Sequence, residues 1–159
     1  MRYTSTLLAV TDLEKSKRFY CGVLGMSVTA DFGTNIVLSD VLSLQTLESW
    51  QSLIGRNDVA FSTACGELYF EEENMDLFLN KLDEVSDIRY VHRVKEHPWG
   101  QRAVRFYDPD MHIVEVGEPI DVVVKRFMAN GLTTEETAHR MDVSSDFIRQ
   151  SISKVRKGG

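Results

Sequence analysis

Two glutamates stand where a carboxylate needs a reason to be. Glu115 lies in the apolar run IVEVG, and Glu67 opens a second strand-like run, ELYFE. Burying a carboxylate among such neighbours is costly unless it is paired, hydrogen-bonded, ligating or open to a wet cavity. Two carboxylates sharing one cleft also repel, so that one keeps its proton and the pair can serve as acid and base. Glu115 and Glu67 are therefore the candidate catalytic residues. Strand alternation supplies their neighbours: Arg105 and Tyr107 share one face of QRAVRFY, and Tyr69 lies two residues beyond Glu67. In some hairpin registers Arg105 pairs diagonally with Glu115, a structural alternative to a catalytic role. Trp99 in HPWG, Trp50 and Phe32 offer flat apolar walls to a substrate, with plain core packing as the competing reading. His112 falls on the opposite strand face from Glu115, and a lone His97 is more often a hydrogen-bonded surface residue.

These residues need elements to hold them. Residues 101–117, QRAVRFYDPDMHIVEVG, read as two antiparallel strands around an Asp108-Pro109-Asp110 turn, where proline presets the backbone and each aspartate can bond nearby amides. Upstream, residues 2–10 are β-rich. Thr11 reads as a helix N-cap with Glu14 completing a capping box, and Leu13, Ser16, Phe19, Tyr20 and Val23 follow at helical spacing up to Gly25. Three short strands (26–31, 35–39 and 41–47) complete a βαβββ unit. A short helix over 47–54 and a polar connection over 55–66 lead to a second such unit: strand 67–72, a helix capped by Asn74, strand 88–95 and the hairpin. The expected fold class is α+β, two βαβββ repeats forming a curled mixed sheet around a cleft.

Composition narrows the partners. The chain has 159 residues, 43% hydrophobic and 26% charged, as in ordinary globular proteins. Residues 1–118 carry 11 basic and 19 acidic side chains, a balance of −8, whereas 119–159 carry 7 and 5, a balance of +2. Such charge argues against a nucleic-acid partner for the body. Cys21 and Cys65 lie far apart without CxxC spacing, which points to reduced thiols and a cytoplasmic setting. With no long apolar run, no membrane association is expected.

LLAVTDLEKSKRFYCGVLGM (7–26), ELYFEEENMDLFLNKL (67–82) and HPWGQRAVRFYDPDMHIVEVGEP (97–119) together resemble the vicinal oxygen chelate superfamily, which includes glyoxalase I, bleomycin resistance proteins and extradiol dioxygenases. The resemblance implies a small-molecule ligand in a sheet cleft, a homodimer, and a lyase, isomerase or dioxygenase type of chemistry on a divalent metal such as Mg, Mn, Zn or Ni. It places metal ligands at Glu67, Glu115 and Gln45 (or Ser43, in the alternative register), with Ser5 where a histidine is expected. A neutral serine oxygen is a weak ligand for a transition metal. The resemblance therefore also admits a degenerate metal site, or a metal-free binding module of the resistance-protein type.

Residues 120–159 form a helical extension beyond the 1–119 domain. Helices are expected over 121–130, from a Thr133/Glu136 capping box to 140 or 141, and from Ser144 or Ser145 onward. GLTTEETAHRMDVSSDFIRQSI resembles a helix-turn-helix, which leaves open a ligand sensor whose C-terminal helices bind DNA. Its basic residues Arg149, Lys154, Arg156 and Lys157 come late in the last helix, and Asp146 sits at its start. A helix group docked on the sheet or on a partner subunit is the favoured reading, because so short a stretch is not expected to bury a core of its own.

Overall fold

A computed structural model describes residues 2–61 and 64–155; Arg156 and Lys157 lie outside the described residues. The chain divides into two compact units, Met1–Glu67 with Val85–Arg89 and Tyr107–Ile113, and Leu68–Glu84 with Tyr90–Phe106 and Val114–Gly159. In the first unit, β1 (Thr6–Val10), α1 (Leu13–Gly22), β2 (Val28–Asp31), β3 (Asn35–Leu38) and β4 (Leu42–Thr46) are followed by α2 (Leu47–Ile54). The sheet order is β1-β4-β3-β2, with β1 and β4 parallel and Leu8 opposite Leu44. Alternation buries Ile36 and Leu38 on β3 and Leu42 and Leu44 on β4, and α1 packs on β4.

What fastens α1 is the DPD turn. Asp108 and Asp110 are almost fully buried, and both carboxylates serve as acceptor hubs. Asp110 takes the Thr11 amide at 3.0 Å, the Thr11 hydroxyl, and the Ser16 hydroxyl at 3.2 Å. Asp108 takes the Tyr20 hydroxyl at 2.8 Å and the amides of Asp110 and His112 at 3.0 and 2.8 Å. Thr11 is thus not the N-cap that the sequence suggests. Its amide and hydroxyl are committed to Asp110, and Asp12 caps α1 instead by accepting from Lys15 N at 2.9 Å. Burial, and then the charge of Asp108, push the Tyr20 phenol well above its ordinary pKa.

The imidazole Nδ1 of His112 meets Asp108 at 2.9 Å. Burial works against its protonation, but the hydrogen bond and charge of Asp108, with Asp110 behind it, hold its pKa above the ordinary 6.5. A raised folded pKa stabilises the fold fully below pH 6.5, and that contribution is lost as pH rises through the folded value. We expect His112 to titrate above 6.5, and His97, described below, to titrate under it. Imidazole resonances followed by NMR check this; a common midpoint would contradict it.

The second repeat comprises β5 (Glu67–Glu71), α3 (Met75–Asp83), β6 (Arg89–Glu96), β7 (Arg102–Tyr107) and β8 (Ile113–Gly117), in the order β5-β8-β7-β6. That is the first sheet's order with every strand advanced by one repeat. Asn74 caps α3 by accepting from Leu77 N at 3.0 Å. Val104, Phe106, Val114 and Val116 are buried, as are Met75, Phe78 and Leu82 of α3, and the Phe78 and Phe106 rings lie 6.5 Å apart. The opposite face of these strands carries Ala103, Arg105, Glu115 and Gly117. Both repeats are βαβββ, and the fold is α+β.

Three helices follow in the second unit: α4 (Ile120–Ala129), α5 (Thr134–Met141) and α6 (Ser145–Val155). The Thr133/Glu136 capping box is present, and Asp142 adopts a left-handed φ of 55° between α5 and α6. These turns fold the helices back on one another. Val123, Val124, Phe127, Ala138, Met141 and Ile148 then form their own buried cluster, with Leu132 and Ile152 against it. The expectation that so short a stretch buries no core of its own is corrected accordingly, while Phe147 on α6 stays exposed. The cluster also reaches the turn between β6 and β7, where a Cβ at Gly100 would collide with the Phe127 ring. Among the described residues, no helix is long and apolar enough to cross a membrane.

Candidate functional site

The polar face of the second sheet gathers the chemistry. Glu115 is 5% exposed on β8, and its carboxylate is in close ion-pair contact with the Arg105 guanidinium on β7. Arg105 Nη1 lies 3.2 Å from His92 Nε2 on β6. Beside this group, the Gln101 side chain ties three elements together. Its amide nitrogen donates to Tyr69 Oη at 3.1 Å and to the Glu118 carbonyl at 2.7 Å, and its amide oxygen accepts from the Trp99 indole at 3.0 Å. Trp99 stacks on His97 with ring centroids 4.4 Å apart and 7° between planes, and still exposes 38% of its surface.

The electrostatics follow from these positions. Burial lowers the His97 pKa, and the positive charges of Arg105 and Lys95 add to the effect. The Tyr69 phenol is raised, first by burial and then by Glu71, whose carboxylate accepts from it at 3.2 Å. His97, Tyr69 and Trp99 thus form an uncharged aromatic edge beside one ion pair at neutral pH, with the indole N–H and the Tyr69 hydroxyl committed to Gln101 and Glu71.

Gly117 keeps that edge in place. A Cβ there would lie 3.1 Å from Gln101 Nε2 and 3.2 Å from the Tyr69 ring. Gly117→Ala should displace both side chains at a stability cost of about 1–2 kcal/mol. Urea unfolding together with a shifted Trp99 indole NMR signal would show it; an unmoved indole signal would contradict it.

The expected site residues are spread over both units. Arg105, Glu115, Tyr69 and Trp99 come together in the second. Tyr107 belongs to the first unit and lines a separate cavity with Lys15, Arg18 and Arg89. Phe32, 72% exposed, lies between β2 and β3, and Trp50 is half-buried on α2. Glu67 is exposed at the first residue of β5. His92 and Gln101 are members that the sequence reading passed over. Extending the alternation of β7 back by two residues would have placed Gln101 beside Ala103 and Arg105.

The residues at the implied metal positions do not fit a divalent ion. Gln45 is buried with its amide committed at both ends, accepting from Asn35 at 2.8 Å and donating to Ser49. Glu115 already faces a guanidinium, which a cation would have to displace. Ser5 is no imidazole, and Ser43 lies opposite Leu7 in the parallel ladder. Among the described residues, no group of three His, Cys, Asp or Glu side chains is arranged to hold a metal.

Residues 3–121 match the glyoxalase-like domain family. This chain belongs to that family. Among solved structures, the glyoxalase-like chain is similar to a protein of unknown function from Agrobacterium tumefaciens, with 30% identity over 75% of this chain and 94% of the other and a TM-score of 0.68. It is also similar to a glyoxalase-related enzyme from Fulvimarina pelagi, at 19% identity over 75% and 88% with a TM-score of 0.65. A third structure, lactoylglutathione lyase from Agrobacterium tumefaciens, is 22% identical over 72% and 91%, with a TM-score of 0.55. The last two likenesses show the fold. No curated protein matches the chain. In this glyoxalase-like chain, the DPD clamp on Thr11, Ser16 and Tyr20 joins two of the three stretches that carry the family resemblance. Those motifs therefore report the fold and not a reaction.

Proposed function

We propose that this glyoxalase-like protein binds a small, planar, hydrogen-bonding molecule on the polar face of its second sheet, without a metal. The observation that carries the reading is the Arg105–Glu115 pair, an ionised couple held on mid-strand positions beside a half-exposed tryptophan. A pair kept only for stability is poorly repaid, since apolar residues of similar volume often do as well. The planar fork of the Arg105 guanidinium matches the geometry of a carbonyl or carboxylate on the ligand. The stacked Trp99 and His97 rings offer an aromatic wall to its flat part. Gln101 and Tyr69 fix the orientation of that wall. Residues 1–119 carry this binding domain, and the helices of 120–159 brace it through Arg126 and Arg140, which reach Gly100 and Pro98 on either side of Trp99. Exposed Tyr3, Val28, Phe32 and Val41 support pairing of two copies, which light scattering checks.

Native mass spectrometry of the freshly purified chain tests the proposal. A small-molecule adduct should survive treatment with a chelator and be missing from Arg105→Leu. An adduct that leaves with a divalent ion, or that the variant keeps, would overturn it.

A further inference from the structure

We propose a second binding site in the first unit, for an amphipathic organic anion, that is independent of the sheet-face reading. A cavity of about 640 Å³ opens between α1, the segment 85–89 and the 107–109 turn, a size that suits a small ligand. Its floor is apolar, with Phe19, Val23, Val85 and Ile88. Its rim is cationic: Lys15 and Arg18 fall three residues apart on the stripe of α1 that Phe19 and Val23 continue, and Arg89 stands across from them. Among the described residues, none of these three cations has an acidic partner, although Lys17 on the same helix pairs with Glu14 and Arg93 four residues beyond Arg89 pairs with Asp83. The Arg89 guanidinium donates to the Met111 sulfur at 3.7 Å.

The anions of the lining do not cancel that rim. Asp108 has both oxygens taken by Tyr20, His112 and two amides, which leaves Asp87 as the opposing carboxylate. Three unpaired cations around an apolar floor are unexpected in a body whose balance over residues 1–118 is −8. Long-range charge does not draw an anion here, so recognition comes from contact within the cavity. A carboxylate or other oxyanion would meet Lys15, Arg18 and Arg89, and its aliphatic or aromatic body would cover Phe19 and Ile88.

Calorimetry on the full chain at low salt tests this site, with octanoate and octanamide as probes, since neither has the flat body that the sheet face is proposed to take. The carboxylate should bind at least tenfold more tightly than the amide. Arg18→Gln/Arg89→Gln should weaken the carboxylate about tenfold and leave the amide unchanged, because hydrogen bonds to charged groups are the stronger kind. Lys15→Gln, a single exposed change, should weaken it in the same direction, with circular dichroism confirming that each variant is folded. Arg105→Gln should have no effect. Equal binding of the two probes, no binding of the carboxylate, or a loss confined to Arg105→Gln would overturn the proposal.

Discussion

Glu118→Ala is expected to lower the unfolding free energy by about 3–5 kcal/mol, a large share of what a single domain has to lose. Glu118 is 1% exposed, and its carboxylate accepts from the Arg102 amide at 3.0 Å, Arg102 Nε at 2.9 Å and Arg126 Nη2 at 2.9 Å. Alanine would leave the Arg102 amide without its acceptor and take the buried anion from two half-buried guanidiniums, leaving Arg102 with the exposed Asp76 and Arg126 with Glu96 and the Gly100 carbonyl. It would also remove one tie between the second sheet and α4, since Glu118 accepts at once from Arg102 on β7 and from Arg126 on α4. Burial alone would raise the pKa of this carboxyl, but Arg102 and Arg126 outweigh it and hold it below the ordinary 4.5. A depressed folded pKa stabilises the fold above pH 4.5, and the contribution is lost as pH falls through the folded value. Urea unfolding at pH 7 should show the full gap between the variant and the unaltered chain, and the gap should narrow in acid. A gap below 1 kcal/mol at pH 7 would contradict the role assigned to Glu118.

Arg105→Leu carries the second large effect. Glu115 is nearly buried, and removing its guanidinium leaves a carboxylate that the apolar strand cannot solvate, at a cost of about 3 kcal/mol or more. Arg105→Leu/Glu115→Leu should recover much of that loss, because an apolar pair of similar volume often matches a buried ion pair. Ligand binding should fail in both variants. Stability that returns while binding does not would separate the functional use of the pair from its structural one. A double variant as unstable as the single would show instead that the pair holds the sheet together.

The contrast between these two glutamates shows what a sequence can disclose. Glu115 was conspicuous because its neighbours are apolar, and the diagonal from Arg105 could be drawn from alternation alone. Glu118 was invisible, since nothing local distinguishes it from a solvated acid after a strand. The same holds for the DPD turn. Its proline and aspartates announce a turn, but the partners of those carboxylates lie 88 to 99 residues away at Tyr20, Ser16 and Thr11. Helix ends fared better, because caps are local: Asn74, Thr133 and Glu136 sit where their spacing put them. Thr11 misled because a distant carboxylate outcompeted its own helix. The aromatic residues were the least legible, as side-chain type does not say which surface a ring covers. Tyr69 and Trp99 stand beside the ion pair, whereas Phe32, Trp50 and Tyr107 belong to the other unit.

The most direct test of a metal-free site on the second sheet is NMR of the chelator-treated chain against a library of small aromatic carbonyl and carboxylate compounds. The Trp99 indole N–H, the Gln101 side-chain amide and the Arg105 guanidinium are its reporters. At least one compound should shift all three together, with no change on adding Zn²⁺. Shifts that require the metal, or compounds that bind while all three signals stay still, would contradict it.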